Sequence, residues 1–437
     1  MLRTSLRKIV KGSALMTSAT AVTFACSLVA LGLNARALGM EEFGRLALVQ
    51  AYISFVSGLM TFDNWQPVVR LGLRSPKKLG LVIGSGMILD VCASTAAATV
   101  AAVGVLLFSG PLGFETALIL PTLVYCSSLL AGLAGTPKGY FRLAGRFDMI
   151  AQNQIANGLL QVGSAVVLWH LGAPIQAYLV VLGIISAAPG VSFLVRMIVE
   201  LRRERVAIVN PLATLSRRRY FKTFLRLASG NSILSSLVTS RHQVALFIVS
   251  AVAGSAATGL FAVASRCANA FARFVIPINQ VIFPEIMRHA RERRASEVRG
   301  AMRAMTLIAA FAALVLASLG MPASEVIVTV AGGAEFAGAA KIFSVLFLTE
   351  IVLLASVHFN PIILNAIGQR PLLILNLTIG TMTTLAALGL AREWGAIGVA
   401  SAMLGGTICT YLALYLMVER CLGIAVRREM LVEAADG

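Results

Sequence analysis

An apolar run of about 20 residues, the length that carries a helix across a bilayer, recurs along almost the whole of this chain. Read on that template, runs fall at 14–34, 45–62, 80–108, 116–136, 150–170 and 175–198. They continue at 227–250, 257–284, 304–330, 340–367, 372–390 and 395–418. Charged residues make up only 13% of the 437 positions, against about 25% in an ordinary soluble domain. The expected fold class is therefore an all-α integral membrane protein with about twelve transmembrane helices.

The first of these runs imitates a secretory signal, with a basic start, an apolar stretch and T-F-A-C at 23–26. Its apolar stretch exceeds the roughly 7–15 residues of a signal core, Phe24 fits a lipoprotein cleavage site poorly, and further spans follow at once. An uncleaved first helix is expected.

Net charge is +18, and its placement decides what it means. Thirty of the 37 lysines and arginines fall in the N-terminal tail, 63–78, 137–149, 196–226, 288–303, Arg370 and the C-terminal tail. Four (Arg36, Arg45, Lys341 and Arg392) fall in the alternate connections. That bias is the signature of cytoplasmic loops, and it predicts both termini inside. Basic residues crowded into short loops, without interleaved aromatics on a domain face, argue against nucleic acid as a partner. The six cysteines form no C-x-x-C pair and the four histidines have no ligand spacing, so neither disulfides nor a metal site is expected.

The longest connection, 199–226, holds Pro211 and the basic stretch SRRRYFKTF at 216–224. It reads as a surface segment whose arginines meet anionic headgroups, with a docking site for a partner as the alternative. It divides the chain into an N-terminal six-helix lobe, 1–198, and a C-terminal six-helix lobe, 227–437. A 215-residue offset brings Gly44 onto Gly259 and Asn64 onto Asn279, with Pro67 and Pro284 nearby. Two halves entering the membrane from the same side form a parallel repeat, a common transporter plan.

Several turns carry a family likeness. NARALGMEEFGRLAL (34–48) resembles the first outer hairpin of the polysaccharide repeat-unit flippases of the Wzx type, which share a superfamily with multidrug extruders and lipid II flippases. ATGLFAVASR (257–266), GAEFAGAAKIFSVL (333–346), LNAIGQR (364–370) and WGAIGVASA (394–402) resemble the later hairpins in the same order. The resemblance implies two lobes around a cavity, alternating access, and an oligosaccharide on polyprenyl pyrophosphate as substrate. It places the chain in the bacterial inner membrane, in O-antigen (lipopolysaccharide) or exopolysaccharide synthesis, as a monomer working beside polymerase and chain-length proteins. Twelve spans rather than fourteen favours this branch over the lipid II flippases.

Three cations lie inside spans: Arg241, Arg266 and Arg273. On a helical wheel Arg266, Asn269, Arg273 and Gln280 share one stripe. Counting from Gly259, Arg266 lies about 10 Å deep and Arg273 about 21 Å, within a core of about 30 Å. A guanidinium there must face protein or water, and its planar fork of donors suits phosphate oxygens. Arg241, Arg266, Asn269 and Arg273 are therefore candidate residues for the pyrophosphate and sugar. Asp90 and Glu350, with His358 two turns on, are candidates for ion coupling to a proton or sodium gradient. Pairing of the arginines with Asp90 and Glu350 is the structural alternative.

Rival functions are weighed on the same residues. A multidrug or cation extruder would line its cavity with acids rather than three arginines. A polymerase or glycosyltransferase expects a long outer loop with paired carboxylates, and the outer connections are short. No G-x-x-x-x-G-K-[ST] loop is present, which argues against an ATP-driven exporter. The expectation is a transporter, not an enzyme, with no cofactor.

Overall fold

A computed structural model of the chain describes residues 2–108, 116–204, 218–292 and 306–436, apart from 63, 76–77, 308–309, 312 and most of 357–369. The described residues form helices and turns, without a strand. Two compact units are present, Met1–Phe247 and Ile248–Gly437.

The first unit opens with α1 (Leu2–Met60), which turns back on itself at Gly39 (φ 69°, ψ 177°). Then come α2 (Trp65–Arg74), α3 (Leu79–Phe108), α4 (Thr116–Ser127), α5 (Gly135–Leu143), α6 (Phe147–His170) and α7 (Ile175–Arg203). The unit closes with the first leg of α8 (Arg218–Glu292), a helix that turns at Gly254 (φ 81°, ψ −177°). The second unit holds the rest of α8, then α9 (Ala313–Gly320), α10 (Ser324–Gly332), α11 (Ala340–Ser356) and α12 (Arg370–Asp436), which turns at Gly395.

By length and composition, seven of these helices are apolar enough to cross a membrane, or eight if the bent pair α9–α10 is one span. Two of the seven, Ala14–Arg74 and Arg370–Arg420, are long enough to hold two spans each. Large apolar side chains stand open on the helices and the turns between them, among them Leu107, Leu120, Leu171, Phe311, Leu319 and Val330. In water such a surface would aggregate; facing acyl chains it costs nothing. The chain is a multi-pass membrane protein.

The hairpin turns repeat. Gly39 and Gly254 stand 215 positions apart, the offset read from the sequence, and both adopt a positive φ with ψ near 180°. Gly172, between α6 and α7, and Gly395, within α12, form a second pair with φ of 55° and 56°. Each is followed by alanine, Ala173 and Ala396. Positive φ with extended ψ is essentially reserved to glycine, because a Cβ collides with the backbone there.

Three expected spans differ in detail. The runs ending at 62 and 136 are interrupted there rather than finished, since α2 and α5 resume the helix over residues read as loop. The run at 304–330 is bent by 66° between α9 and α10, at the turn that holds Pro322. Proline lacks the amide a continuing helix requires. Pro189 in α7 has a different effect: its carbonyl accepts a hydrogen bond from Asn153 Nδ2 at 3.1 Å. Gly190 beside it lets α7 run against the carbonyl of Ala131, where any Cβ would overlap.

Among the described residues, three apolar clusters hold the first unit. One joins α1, α3, α4 and α7 through Val49, Tyr52, Ala101, Tyr125 and Tyr178. A second joins α5 to α6 and α7 through Tyr140, Phe141, Ile150, Phe193 and Met197. The third seats α2 on α3 and on the first leg of α8, through Val68, Leu71, Val82, Leu89, Phe224 and Ala228. Phe224 belongs to the basic stretch read as a surface segment, and it is fully buried. In the second unit Phe359, Ile363 and Leu372 pack on Leu414 and Val418, and Phe343 stacks on Phe347 at 5.3 Å.

The turn geometry makes a testable demand. Gly39→Ala and Gly254→Ala should each lower stability by about 1–3 kcal/mol, read as earlier thermal unfolding in detergent. Gly163→Ala, in open space within α6, should lower it in no measurable way. Equal unfolding of all three variants would contradict the assigned hairpins.

Candidate functional site

Of the thirty residues of α3, one is charged: Asp90. It is 5% exposed, midway along a helix whose other residues suit a membrane. Burying a carboxylate is costly unless donors meet it, and the two interrupted helices supply them. Asn64 Nδ2 donates to Asp90 Oδ1 at 2.6 Å, and the Thr136 amide donates to Asp90 Oδ2 at 2.8 Å.

Both donors come from helix starts. Asn64 occupies the cap position of α2, and Thr136 lies in the first turn of α5. First-turn amides have no partner within their own helix, and the positive end of the helix dipole favours an anion there. Asp90 therefore closes the start of α5, which the interruption at 128–134 leaves open. Ordinary side chains would block this approach. A Cβ on Gly135 would lie 2.9 Å from Asp90 Oδ1 and 3.2 Å from the Asn64 Cβ. A Cβ on Gly86, one turn earlier on α3, would collide with the Thr136 side chain.

Charge gathers around this pin. Lys138 on α5 is the cation whose field reaches Asp90, and its ammonium also lies 5.7 Å from the Phe193 ring. Arg142, one turn further, stacks its guanidinium over Trp65 at 3.8 Å, a cation–π contact joining α5 to α2. Beyond it Tyr140 Oη donates to Glu204 at 2.8 Å, and Arg146 pairs with Glu200 at 2.6 Å and with Asp148 at 3.3 Å. These contacts tie α5, α6 and α7 at the end that carries the basic connections.

The sequence singled out Asp90 but not Asn64 as its partner, nor Thr136. Signals for both exist in hindsight of the geometry: Asn64 is a cap-type residue ahead of Trp65 and Pro67, and Thr136 precedes Pro137 in a glycine-containing stretch.

The other predicted residues are placed as follows. Arg241 is half-buried on the first leg of α8, within the first unit; Arg266 and Asn269 lie on its second leg, within the second unit. Between 261 and 270 every residue is buried except Arg266 and Asn269, which are half-buried. Asn269 Nδ2 donates to Ser265 O at 2.8 Å, and lies 3.3 Å from Ser265 Oγ. Ser265, Arg266 and Asn269 thus make the polar edge of an otherwise apolar stretch, 261–270. Arg273 falls on α8, but its side chain and that of Gln280 lie outside the described residues, as does His358. Glu350 is 4% exposed on α11. Among the described residues no His, Cys, Asp and Glu gather as a metal site would require.

Comparison with known proteins gives a consistent family. The polysaccharide biosynthesis protein family matches residues 9–290. The inner membrane protein YghQ of Escherichia coli K12 is 27% identical over 288 residues, covering 64% of this chain and 81% of the relative. Among solved structures, the inward-facing conformation of a multidrug resistance MATE family transporter of the MOP superfamily superposes with a TM-score of 0.75. Its identity is 14%, over 94% of this chain and 96% of that one. MATE in the bent conformation gives 0.61 at 18% identity, over 96% of each chain. At such identities the likeness is one of fold. The family match covers more than half of the chain, and the chain belongs to the polysaccharide biosynthesis protein family, with the fold of MOP-superfamily transporters.

Proposed function

We propose that this protein moves oligosaccharide repeat units, carried on polyprenyl pyrophosphate, across the bacterial inner membrane during assembly of a surface polysaccharide such as O-antigen or exopolysaccharide. Family membership supports the polysaccharide pathway, and the inner-membrane relative supports the location. The observation that carries the reading is the polar edge Ser265–Arg266–Asn269 on a buried apolar leg. A guanidinium is permanently charged and its planar fork of donors matches phosphate oxygens, and a pyrophosphate offers several of them in that geometry.

In this mechanism Arg266 meets the pyrophosphate, while Asn269 beside it meets sugar hydroxyls. The polyprenyl tail stays in lipid. The protein exposes the site first to the cytoplasm, where the termini lie by the charge bias, then to the far side. No bond is made or broken, so no cofactor is required. A proton or sodium gradient supplies direction, with Glu350 and His358 as coupling residues. Polymerase and chain-length proteins take the product, and the protein works as a monomer among membrane lipids.

A second reading has its own support. The solved neighbours are multidrug transporters, so export of a lipophilic cation is the alternative, and a lipid II-type substrate is a third. The arginines favour an anionic cargo over a cationic one. Arg266→Ala removes a charge-assisted hydrogen bond of about 1.5–3 kcal/mol, which is roughly a 10- to 150-fold loss at 1.4 kcal/mol per decade.

Two outcomes follow. In cells lacking the chromosomal copy, Arg266→Ala at wild-type membrane levels should fail to restore surface polysaccharide, and Arg266→Lys should restore it in part. Full restoration by Arg266→Ala would remove the binding role. The wild type should also leave ethidium resistance of a drug-sensitive host unchanged; a rise that requires Asp90 or Glu350 would favour the extruder.

A further inference from the structure

Among the long described helices of the first unit, α6 is the exception. Its 24 residues suffice to cross a bilayer, yet it is not among the helices apolar enough to do so. The cause is a run of neutral polar side chains, Gln152, Asn153, Gln154, Asn157, Gln161 and Ser164, with no charged residue from 149 to 169. Gln154, Asn157, Gln161 and Ser164 recur at spacings of three, four and three. They share one stripe, about 15 Å long at the rise of a helix.

The stripe lies on the inward side of α6. Leu159, Gly163 and Val166 stand exposed on the opposite side, as a face turned to acyl chains requires. On the inward side Gly158 packs against α1, where a Cβ would lie 3.1 Å from the Cys26 Cβ and 3.2 Å from the Thr23 Cα. Ala165 and Leu168 are buried there too. All four residues of the stripe are half-buried, so they keep open surface on the side away from lipid.

Polar side chains in membrane helices most often bind one helix to the next, and two of the run do so. Asn153 Nδ2 donates to Pro189 O on α7 at 3.1 Å, and Gln152 Oε1 accepts from Arg196 Nη1 at 3.2 Å. Gln154 and Asn157 do not: Gln154 Oε1 and Asn157 Oδ1 are buried with no hydrogen-bond partner. The hydroxyls of Thr20, Thr23 and Ser27, on the part of α1 that meets Gly158, donate to carbonyls of their own helix. A buried acceptor left unpaired costs more than a formed bond returns. Leucine at either position would avoid that cost.

We propose that Gln154, Asn157 and Gln161 form a sugar-binding stripe within the first unit, which takes neutral hydroxyls of the oligosaccharide by hydrogen bonds rather than by charge. A carboxamide carries two donors and an acceptor in one plane, and a sugar hydroxyl is itself both donor and acceptor. Charged side chains would serve worse, since a cation there would hold the pyrophosphate and a carboxylate would repel it. The last torsion of each side chain is soft, so each oxygen can turn from its buried position to the open side of its own residue. Hydroxyls of the sugar then satisfy acceptors that the protein leaves bare. This role rests on the proposed transport of a lipid-linked oligosaccharide.

The test separates the sugar from its carrier. Full-length protein in lipid nanodiscs is offered two lipids, and retention is read by native mass spectrometry. One is the polyprenyl-pyrophosphate repeat unit extracted from cells lacking the chromosomal copy; the other is polyprenyl pyrophosphate alone. The wild type should prefer the glycosylated lipid. Gln154→Leu/Asn157→Leu should reduce that preference roughly 10-fold, at about 2- to 10-fold per hydrogen bond, with retention of the bare carrier unchanged. Gln152→Leu, the same substitution on the outer side, should keep the preference. Leucine removes oxygens that have no partner, so the double variant should unfold at no lower temperature than the wild type. Should it fail to fold, Asn157→Leu and Gln161→Leu singly carry the test, each lowering the preference several-fold. A preference that survives these substitutions, a loss shared equally by both lipids, or a wild type that retains the bare carrier as well as the glycosylated lipid overturns the stripe and leaves the flippase reading standing. Retention of neither lipid by the wild type overturns both.

Discussion

Everything in this fold answers to one constraint: a polar group taken out of water must find its partner inside the protein. An unbroken helix satisfies its own backbone, which is why long apolar helices dominate the described residues. Each interruption exposes amides and needs a remedy. At the start of α5 the remedy is a single carboxylate, Asp90, reaching from α3 to the Thr136 amide while Asn64 at the start of α2 holds its other oxygen. One charged side chain thereby fixes two short helices against a third. Glycine at 86 and 135 makes room for it, and the apolar clusters around Val68 and Phe141 hold the helices in register.

The same economy shapes the hairpins. A tight reversal between two membrane helices leaves little room for side chains, and glycine at positive φ turns the chain in one residue. The pairs Gly39–Gly254 and Gly172–Gly395 show this solution used twice over, in the order a duplicated half would give. The repeat is not complete. The offset that pairs the first two glycines puts Met305 opposite Asp90, so the carboxylate pin belongs to the first half of the sequence alone. The polar edge at Arg266 has no counterpart either, since position 51 is Ala51. The two halves share turns and differ in chemistry, as halves with separate tasks would.

The sequence made the helices legible because apolar runs of membrane length have few other uses, and the 215-residue repeat was legible at Gly44 and Gly259, while the turning glycines five residues before each went unread. Asp90 and Arg266 stood out for a simpler reason: each is a charge where charge is expensive. The rest was hidden by distance along the chain. Asn64 and Thr136 reach Asp90 across 26 and 46 residues, and no local period announces such a pairing. The breaks at 61–64 and 128–134 were mistaken for span ends because a few polar residues look alike in either role. Phe224 was masked by the arginines beside it, which drew the reading toward the surface while the ring itself sits in a core.

A transporter of anionic lipid-linked sugars needs fixed positive charge beside an apolar route, and helices able to alter their junctions without exposing bare amides. Under the proposed function the edge at Ser265–Arg266–Asn269 would serve the first need, and the pinned, interrupted helices of the first unit the second. The most direct measurement is transbilayer movement in vesicles. Purified protein is reconstituted with a fluorescent oligosaccharide on polyprenyl pyrophosphate, and the label is quenched from one side by a membrane-impermeant reductant. The account predicts that the protected fraction falls in protein-containing vesicles well below that of protein-free ones, and that an analogue without the pyrophosphate does not move. Equal protection with and without the protein, or equal movement of the uncharged analogue, would contradict it.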